Sequence, residues 1–97
     1  MKAANNKDEA LIVTTAHKGV FFGYGQATTD PIIEINNARM CVSWSAEVKG
    51  VVGLAADGPI KGCRITAAAP SIILRDVTAI MRVSEKAVRN WENCPWT

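Results

Sequence analysis

The chain has 97 residues and a formal charge of +2, and 48% of its residues are hydrophobic while 21% are charged. This length corresponds to one domain, and the apolar fraction excludes an intrinsically disordered tail. Lysine and arginine are spread along the chain among acidic residues, which argues against nucleic-acid binding, since that role requires a clustered basic face.

The N-terminal residues are polar and charged, and the apolar run that follows them is too short for a secretory signal peptide. No apolar stretch approaches the roughly 20 residues of a membrane-spanning helix. We therefore expect residues 1–10 to be a flexible leader and residues 11–97 to form a single β-rich domain in the cytoplasm, away from the membrane.

The first part of this domain predicts a β-hairpin. Residues 11–16 and 20–24 are rich in β-branched and aromatic side chains, and Gly19 lies in the short break between them. Alternation along the second strand places Phe22 and Tyr24 on the same face.

The next segment predicts two strands separated by a turn. Residues 31–35 begin with a proline that suits an edge strand, and Asn36 and Asn37 tolerate the left-handed conformation of a turn. Residues 39–45 then alternate between apolar and polar side chains, which is typical of a strand with one buried face.

The alternation in residues 39–45 predicts which face is buried. Met40, Val42 and Trp44 form the apolar face, which we expect to be in the core. Arg39 and Cys41 lie on the polar face with Ser43 and Ser45, and this face is either solvated or in contact with a ligand or another subunit.

The second half of the chain predicts further short strands and turns. Residues 57–59 are Asp-Gly-Pro, a strong turn signal. A bulge or break is expected at residues 75–76. The predicted strands cover residues 51–56, 63–66, 71–74 and 77–83.

The C-terminal segment predicts a helix over about residues 85–92. Ser84 is a good N-cap, Val83 and Val88 occupy the positions of a hydrophobic staple, and Trp91 continues the apolar stripe. With the strands, this predicts a mainly β domain of the α+β class, in which an antiparallel curved sheet or partly open barrel carries one C-terminal helix.

The chain has few residues of the types that form catalytic and metal sites. The three cysteines, Cys41, Cys63 and Cys94, have no C-x-x-C spacing, and His17 is the single histidine. A zinc site would require all four to converge, and no base is tied by sequence to a nucleophile. We expect no metal, no cofactor and no catalytic activity, with the cysteines as free thiols.

Cations and aromatic rings are the best candidates for ligand contacts. The glycine-rich loop at residues 53–64 is either a plain turn region or a site where backbone N–H groups and neighbouring cations contact an anion. Arginine presents a planar fork to phosphate, and aromatic faces stack on bases. The candidate ligand-binding residues are Phe22, Tyr24, Arg39, Trp44, Lys61 and Arg64.

Several segments together resemble a group of short, uncharacterised proteins of bacteriophages and prophages. The resemblance covers about residues 15–91 and implies a phage origin, with no reaction attached. It is carried by HKGVFFGY at residues 17–24, ARMCVSWS at 38–45, GVVGLA at 50–55, GCRI at 62–65, VTAI at 77–80 and AVRNWE at 87–92.

These observations lead to two hypotheses about function. The first is a phage-encoded, non-enzymatic protein that sequesters an anionic nucleotide signal of host defence. The alternative is a small phage structural or host-inhibitory protein that binds a protein partner and no small molecule. In both cases we expect a homo-oligomer, because the domain is small and Trp96, next to the C-terminus, is hard to bury in a single copy.

Overall fold

A computed structural model describes residues 8–16 and 19–94. Six strands and two α-helices make up this part of the chain, and a 3-10 turn at Ala46–Val48 precedes the first helix. In chain order the elements are β1 (Glu9–Thr15), β2 (Val20–Gly25), β3 (Ile33–Ser43), α1 (Gly50–Ala56), β4 (Arg64–Ile65), β5 (Ala69–Leu74), β6 (Val77–Arg82) and α2 (Glu85–Asn93).

Some of the sequence predictions concern residues outside this description. These are residues 1–7 of the expected leader, the pair at positions 17–18, and residues 95–97, which include Trp96. Glu9 and Ala10, which we assigned to the leader, belong to β1. None of the described helices is both long and apolar enough to cross a bilayer.

The strands form one antiparallel sheet in the order β4-β3-β2-β1-β6, and β5 pairs with the first half of β3. The β1–β2 hairpin is the one predicted from residues 11–24. The prediction of a mainly β domain with a curved antiparallel sheet and a C-terminal helix is confirmed, and the sheet is open rather than closed into a barrel.

The curvature follows from the path of β5 and β6. β5 pairs with β3, whereas β6 pairs with β1, so residues 69–82 connect two strands that lie on opposite sides of β2. Residues 75–76, where we expect a bulge or break, separate the two strands, and Asp76 adopts a positive φ of 57° there. Because one continuous stretch of chain pairs with both β3 and β1, the sheet between these two strands must bend.

The turn predicted at Asn36 and Asn37 is wrong, because both residues lie inside the continuous strand β3. Asn37 does take the left-handed conformation, with φ of 50°. The register between β2 and β3 shifts at this point. The asparagine therefore accommodates a bulge, which adds a residue to the strand without ending it.

The sheet is buried on both faces in its centre. Leu11, Ile12 and Val13 of β1 are all inaccessible to solvent. Ile12 belongs to a core that includes residues of α1 and α2, whereas Leu11 and Val13 belong to a second core with Ile33 and Ile35 of β3. Strand β1 thus joins the helix-covered face to the interior of the curved sheet.

The strand predicted at residues 51–56 is wrong, because this segment forms helix α1. A Cβ atom on Gly53 would lie 1.6 Å from the carbonyl oxygen of Val48, so only glycine lets the helix pack this closely on the preceding turn. Leu54 and Ala55 point into the core. Their burial stabilises a helix that the β-branched Val51 and Val52 disfavour locally.

Helix α2 confirms the C-terminal prediction. The Ser84 hydroxyl accepts a hydrogen bond from the Ala87 backbone N–H at 3.0 Å, which is the expected N-cap. The same hydroxyl donates to the carbonyl of Ala56 at 2.6 Å and so ties the helix to the end of α1. Trp91 is fully buried and Val88 packs at the edge of the core.

The buried face of residues 39–45 is the opposite of the predicted one. Cys41 is buried beside Ile65 of β4, its partner in the sheet, while Val42 and Trp44 are exposed. The helices and β4 cover the face that carries Arg39 and Cys41. The apolar alternation of the strand therefore indicated a face that the other described residues leave exposed.

Candidate functional site

A groove of about 410 Å³ opens between β2, β3 and the C-terminal end of α2. Three of the six candidate residues, Phe22, Tyr24 and Arg39, line it. Among the described residues, the lining consists of Phe22, Tyr24, Asn37, Arg39, Ala68, Glu92 and Cys94.

The guanidinium group of Arg39 is held by backbone carbonyl groups. Its Nε donates to the carbonyl of Thr66 at 2.7 Å, and its Nη2 donates to the carbonyl of Cys94 at 3.0 Å. Nη1 donates to the carbonyl of Trp91 and to the Cys94 Sγ. The cation therefore caps the C-terminal end of α2, where the helix dipole favours positive charge.

The base of the groove is aromatic. Phe22 stacks on Trp91 with 4.9 Å between ring centroids and 5° between planes, and it meets Tyr24 edge-on at 5.4 Å. Phe22 is almost fully buried, whereas Tyr24 is partly exposed. Tyr24 is thus the ring that a ligand would reach, and Phe22 supports it.

A hydrogen bond between Tyr24 and Glu92 joins β2 to α2 at the groove. The Tyr24 hydroxyl donates to the Glu92 carboxylate. Burial, followed by this bond and the nearby negative charge, raises the pKa of Tyr24 well above its usual value. The described residues therefore bring one fixed cation, one carboxylate and a phenol that stays neutral to the groove.

The other three candidates, Trp44, Lys61 and Arg64, do not line this groove. Arg64 pairs with Ser43 at the end of β3. Lys61 precedes Gly62, where a Cβ atom would lie 3.5 Å from the Cβ of Ser45, so the loop reaches the same end of the strand. These residues form a separate exposed region of the surface.

A comparison with known protein families matches residues 8–91, which are 84 of the 97 residues, to a single domain. The chain belongs to the family described as Domain of unknown function (DUF6948). The match begins just before β1 and ends at Trp91 in α2. Comparisons with curated proteins and with solved structures found no match.

The glycine-rich loop of the DUF6948 domain does not form one continuous turn. Gly53 lies within α1, where it permits close packing on Val48. Gly58 has a positive φ of 85°, and a Cβ there would lie 2.9 Å from the carbonyl oxygen of Ala87 in α2. Helix packing therefore accounts for both glycines without an anion.

Four residues of the groove were not among the candidates chosen from sequence: Asn37, Ala68, Glu92 and Cys94. Glu92 and Cys94 follow the predicted anchor Trp91, so their position at the end of α2 was available from the sequence. What it did not show is that this helix end lies against β2 and β3. The hydrogen bond from Tyr24 to Glu92 joins residues 68 positions apart.

All three thiols are buried and free. Burial, with the neighbouring Cys63 and Cys94, raises the pKa of the Cys41 thiol to about 12. Burial also raises the pKa of Cys94, although Arg39 acts against it. Within residues 8–16 and 19–94 no group of cysteine, histidine and acidic residues is arranged to hold a metal ion.

Because the pKa values of Cys41 and Cys94 are raised, we expect the DUF6948 domain to lose stability at alkaline pH. A raised pKa means that the folded state keeps the proton more tightly than the unfolded state does. The contribution of Cys41 to the free energy of unfolding is therefore complete below pH 9.0 and falls as the pH rises toward 12. The slope is at most about 1.4 kcal/mol per pH unit for each group. Tyr24 and Cys94 act in the same direction.

Urea unfolding of the wild type and of Cys41→Ala at a series of pH values above neutral measures this dependence. We expect the free energy of unfolding of the wild type to fall with rising pH, and that of the variant to fall less steeply. Equal slopes for the two proteins would show that the Cys41 thiol is not responsible.

Proposed function

We propose that the DUF6948 domain binds a small polar ligand with a planar ring and catalyses no reaction on it. The observation that carries this proposal is the position of Arg39, whose cation is fixed beside the accessible Tyr24 in a concave groove. A volume of about 410 Å³ lies within the range of small-molecule sites. A preorganised cation and an aromatic ring suit a nucleotide-like molecule.

The charges of the groove narrow the ligand class. Arg39 brings one positive charge and Glu92 one negative charge, and most N–H groups of Arg39 already bond to carbonyl groups. A polyphosphate would meet too little positive charge here. We therefore favour a nucleobase or nucleoside with a single phosphate or cyclic phosphate group.

The biological setting is part of the same proposal. The resemblance of the chain to short phage proteins supports a role in the host cytoplasm, where the ligand would be a nucleotide signal of host defence. Sequestration requires affinity and no chemistry.

A structural or protein-binding role is the second candidate. The observation that favours it is the exposure of large apolar side chains outside the groove, including Val42 and Trp44, which lie two residues apart at the end of β3. Exposed apolar side chains that lie close together mark protein contacts more often than small-molecule sites. This role would leave the groove without a ligand.

Thermal shift against nucleoside monophosphates, cyclic mononucleotides and cyclic dinucleotides distinguishes the two roles. A ligand at 100 times its dissociation constant stabilises the fold by about 2.7 kcal/mol, which is a readily measured shift. Glu92→Gln removes the carboxylate of the groove, so we expect it to bind an anionic ligand several-fold more tightly. Glu85→Gln, at the other end of α2, is the matched control and should leave affinity unchanged.

If no nucleotide raises the melting temperature, the ligand proposal is wrong and the protein-partner role takes its place. If a nucleotide binds but Glu92→Gln and Glu85→Gln behave alike, the ligand lies outside the groove.

A further inference from the structure

The end of β3 carries an exposed surface with positive charge. Val42 and Trp44 expose 52% and 38% of their area, although both are large and apolar. Arg64 is exposed opposite Ser43, and the loop with Lys61 lies beside Ser45. We call Val42, Trp44, Lys61 and Arg64 the basic surface.

The start of β3 carries an exposed surface of opposite charge. Ile32 and Ile73 expose 52% and 62% of their area. Ile73 lies directly across from Glu34 in the β3–β5 pairing, and Asp30 lines the same shallow groove as Ile32 and Glu34. We call Asp30, Ile32, Glu34 and Ile73 the acidic surface.

The two surfaces match in chemistry. Each pairs two exposed apolar side chains with two charges of one sign, and Asp8 adds a third carboxylate to the acidic groove. Each also has a nearby charge of the other sign, Glu47 beyond Trp44 and Arg75 beyond Ile73. The excess charge is positive at one end of β3 and negative at the other.

We propose that the acidic surface of a second copy of this chain covers the basic surface, in a head-to-tail contact. Contact between two basic surfaces would place Lys61 and Arg64 against their own copies, and like charges oppose such a pairing. The acidic surface instead offers carboxylates to Arg64 and apolar side chains to Trp44. Charge complementarity therefore selects a contact between unlike surfaces.

The positions of the two surfaces on the molecule determine which kind of oligomer such a contact forms. Glu34 and Val42 are separated by up to about 26 Å along β3, at 3.3 Å per residue. A copy that uses one surface leaves its other surface free at the far end. Head-to-tail contacts of this kind add copies until they close into a ring or continue as a filament.

The head-to-tail contact is independent of the proposed ligand. None of the eight side chains that define the two surfaces lines the groove that contains Arg39 and Tyr24. The contact also assigns a role to Trp44, Lys61 and Arg64, which the sequence pattern grouped with the ligand contacts. Failure of ligand binding would leave the self-contact intact, and the reverse also holds.

Light scattering of the full chain after size-exclusion chromatography, at increasing protein concentration, tests the contact. We expect the wild type to exceed the single-chain mass of 10.4 kDa. Arg64→Glu and Glu34→Lys should each elute as single chains, because each brings like charges together. Arg89→Glu reverses an exposed cation of α2 outside both surfaces and should associate as the wild type does.

Mixing the two single variants gives the sharpest result. Arg64→Glu keeps an intact acidic surface and Glu34→Lys keeps an intact basic surface, so a mixture restores the native contact, and its two altered surfaces carry exchanged charges that can pair in turn. We expect the mixture to associate although each variant alone does not. We also expect renewed association of the Arg64→Glu/Glu34→Lys double variant, in which the charges are exchanged.

Three results would overturn the proposal. These are a wild type that stays single at every concentration, association that survives both single substitutions, and a mixture of the two variants that stays as single chains. Circular dichroism and melting temperatures test whether the variants are folded. We expect all of them to be folded, because exposed substitutions usually change stability by less than about 0.5 kcal/mol.

Discussion

Replacement of Trp91 by alanine is expected to destabilise the domain by about 3–5 kcal/mol, the range for truncating a buried aromatic side chain. Trp91 is fully buried, stacks on Phe22 and belongs to the core between the helices and the sheet. Its indole N–H donates to the carbonyl of Leu54 at 3.1 Å, which connects α2 to α1. Since small domains are stable by roughly 5–15 kcal/mol, this loss approaches the unfolding threshold.

Urea unfolding of Trp91→Ala, Trp91→Phe and Arg89→Ala measures this effect and separates its causes. Trp91→Phe keeps an aromatic ring against Phe22 but leaves the Leu54 carbonyl without its donor, so we expect a smaller loss of about 1–3 kcal/mol. Arg89→Ala removes an exposed side chain of the same helix and should change stability by less than about 0.5 kcal/mol. Similar losses for Trp91→Ala and Arg89→Ala would contradict the role of Trp91.

Helix α2 could be predicted from sequence because its determinants are local. The Ser84 cap, the staple residues around it and the anchor Trp91 lie within one short segment, and each acts through neighbours in the chain. The β1–β2 hairpin is similar, since its strands are adjacent in sequence and separated by a short break. Such elements can be predicted from the residues that form them.

Helix α1 could not be predicted because its determinants are distant in the chain. Val51 and Val52 favour a strand locally, and a glycine in the middle of a helix costs about 1 kcal/mol relative to alanine. The helix forms because Leu54 and Ala55 are buried and because Trp91, 37 residues away, bonds to the Leu54 carbonyl. Tertiary packing outweighs the local preference of this segment.

The candidate site could be predicted only in part, because some of its contacts also join residues that are distant in the chain. Phe22 and Tyr24 share a face of β2, which the alternation of that strand indicates. The choice between the two faces of β3 depends on where α1, α2 and β4 pack, and alternation alone does not contain that information. Arg39 lines the groove, and its carbonyl partners lie 27 to 55 positions away in the chain, where no local pattern indicates them.

Arg39→Met is expected to destabilise the domain by about 2–4 kcal/mol, because it keeps the length of the side chain but removes every donor. The carbonyl groups of Thr66, Trp91 and Cys94 would lose the hydrogen bonds that join β3 to the segment after β4 and to the end of α2. We also expect faster hydrogen exchange in the last turn of α2 than at the Ser84 cap. Urea unfolding and amide exchange measure the two effects.

Arg39→Lys and Arg82→Met provide the comparison. Lysine keeps the charge but brings a single ammonium group in place of a planar fork, so we expect it to recover less than half of the lost stability. Arg82 makes an exposed ion pair with Glu9 at 2.9 Å, so Arg82→Met should cost less than about 1 kcal/mol. If Arg39→Met costs no more than Arg82→Met, Arg39 does not hold the helix end. A cation free of that structural task would instead leave its whole guanidinium group available to a ligand in the groove.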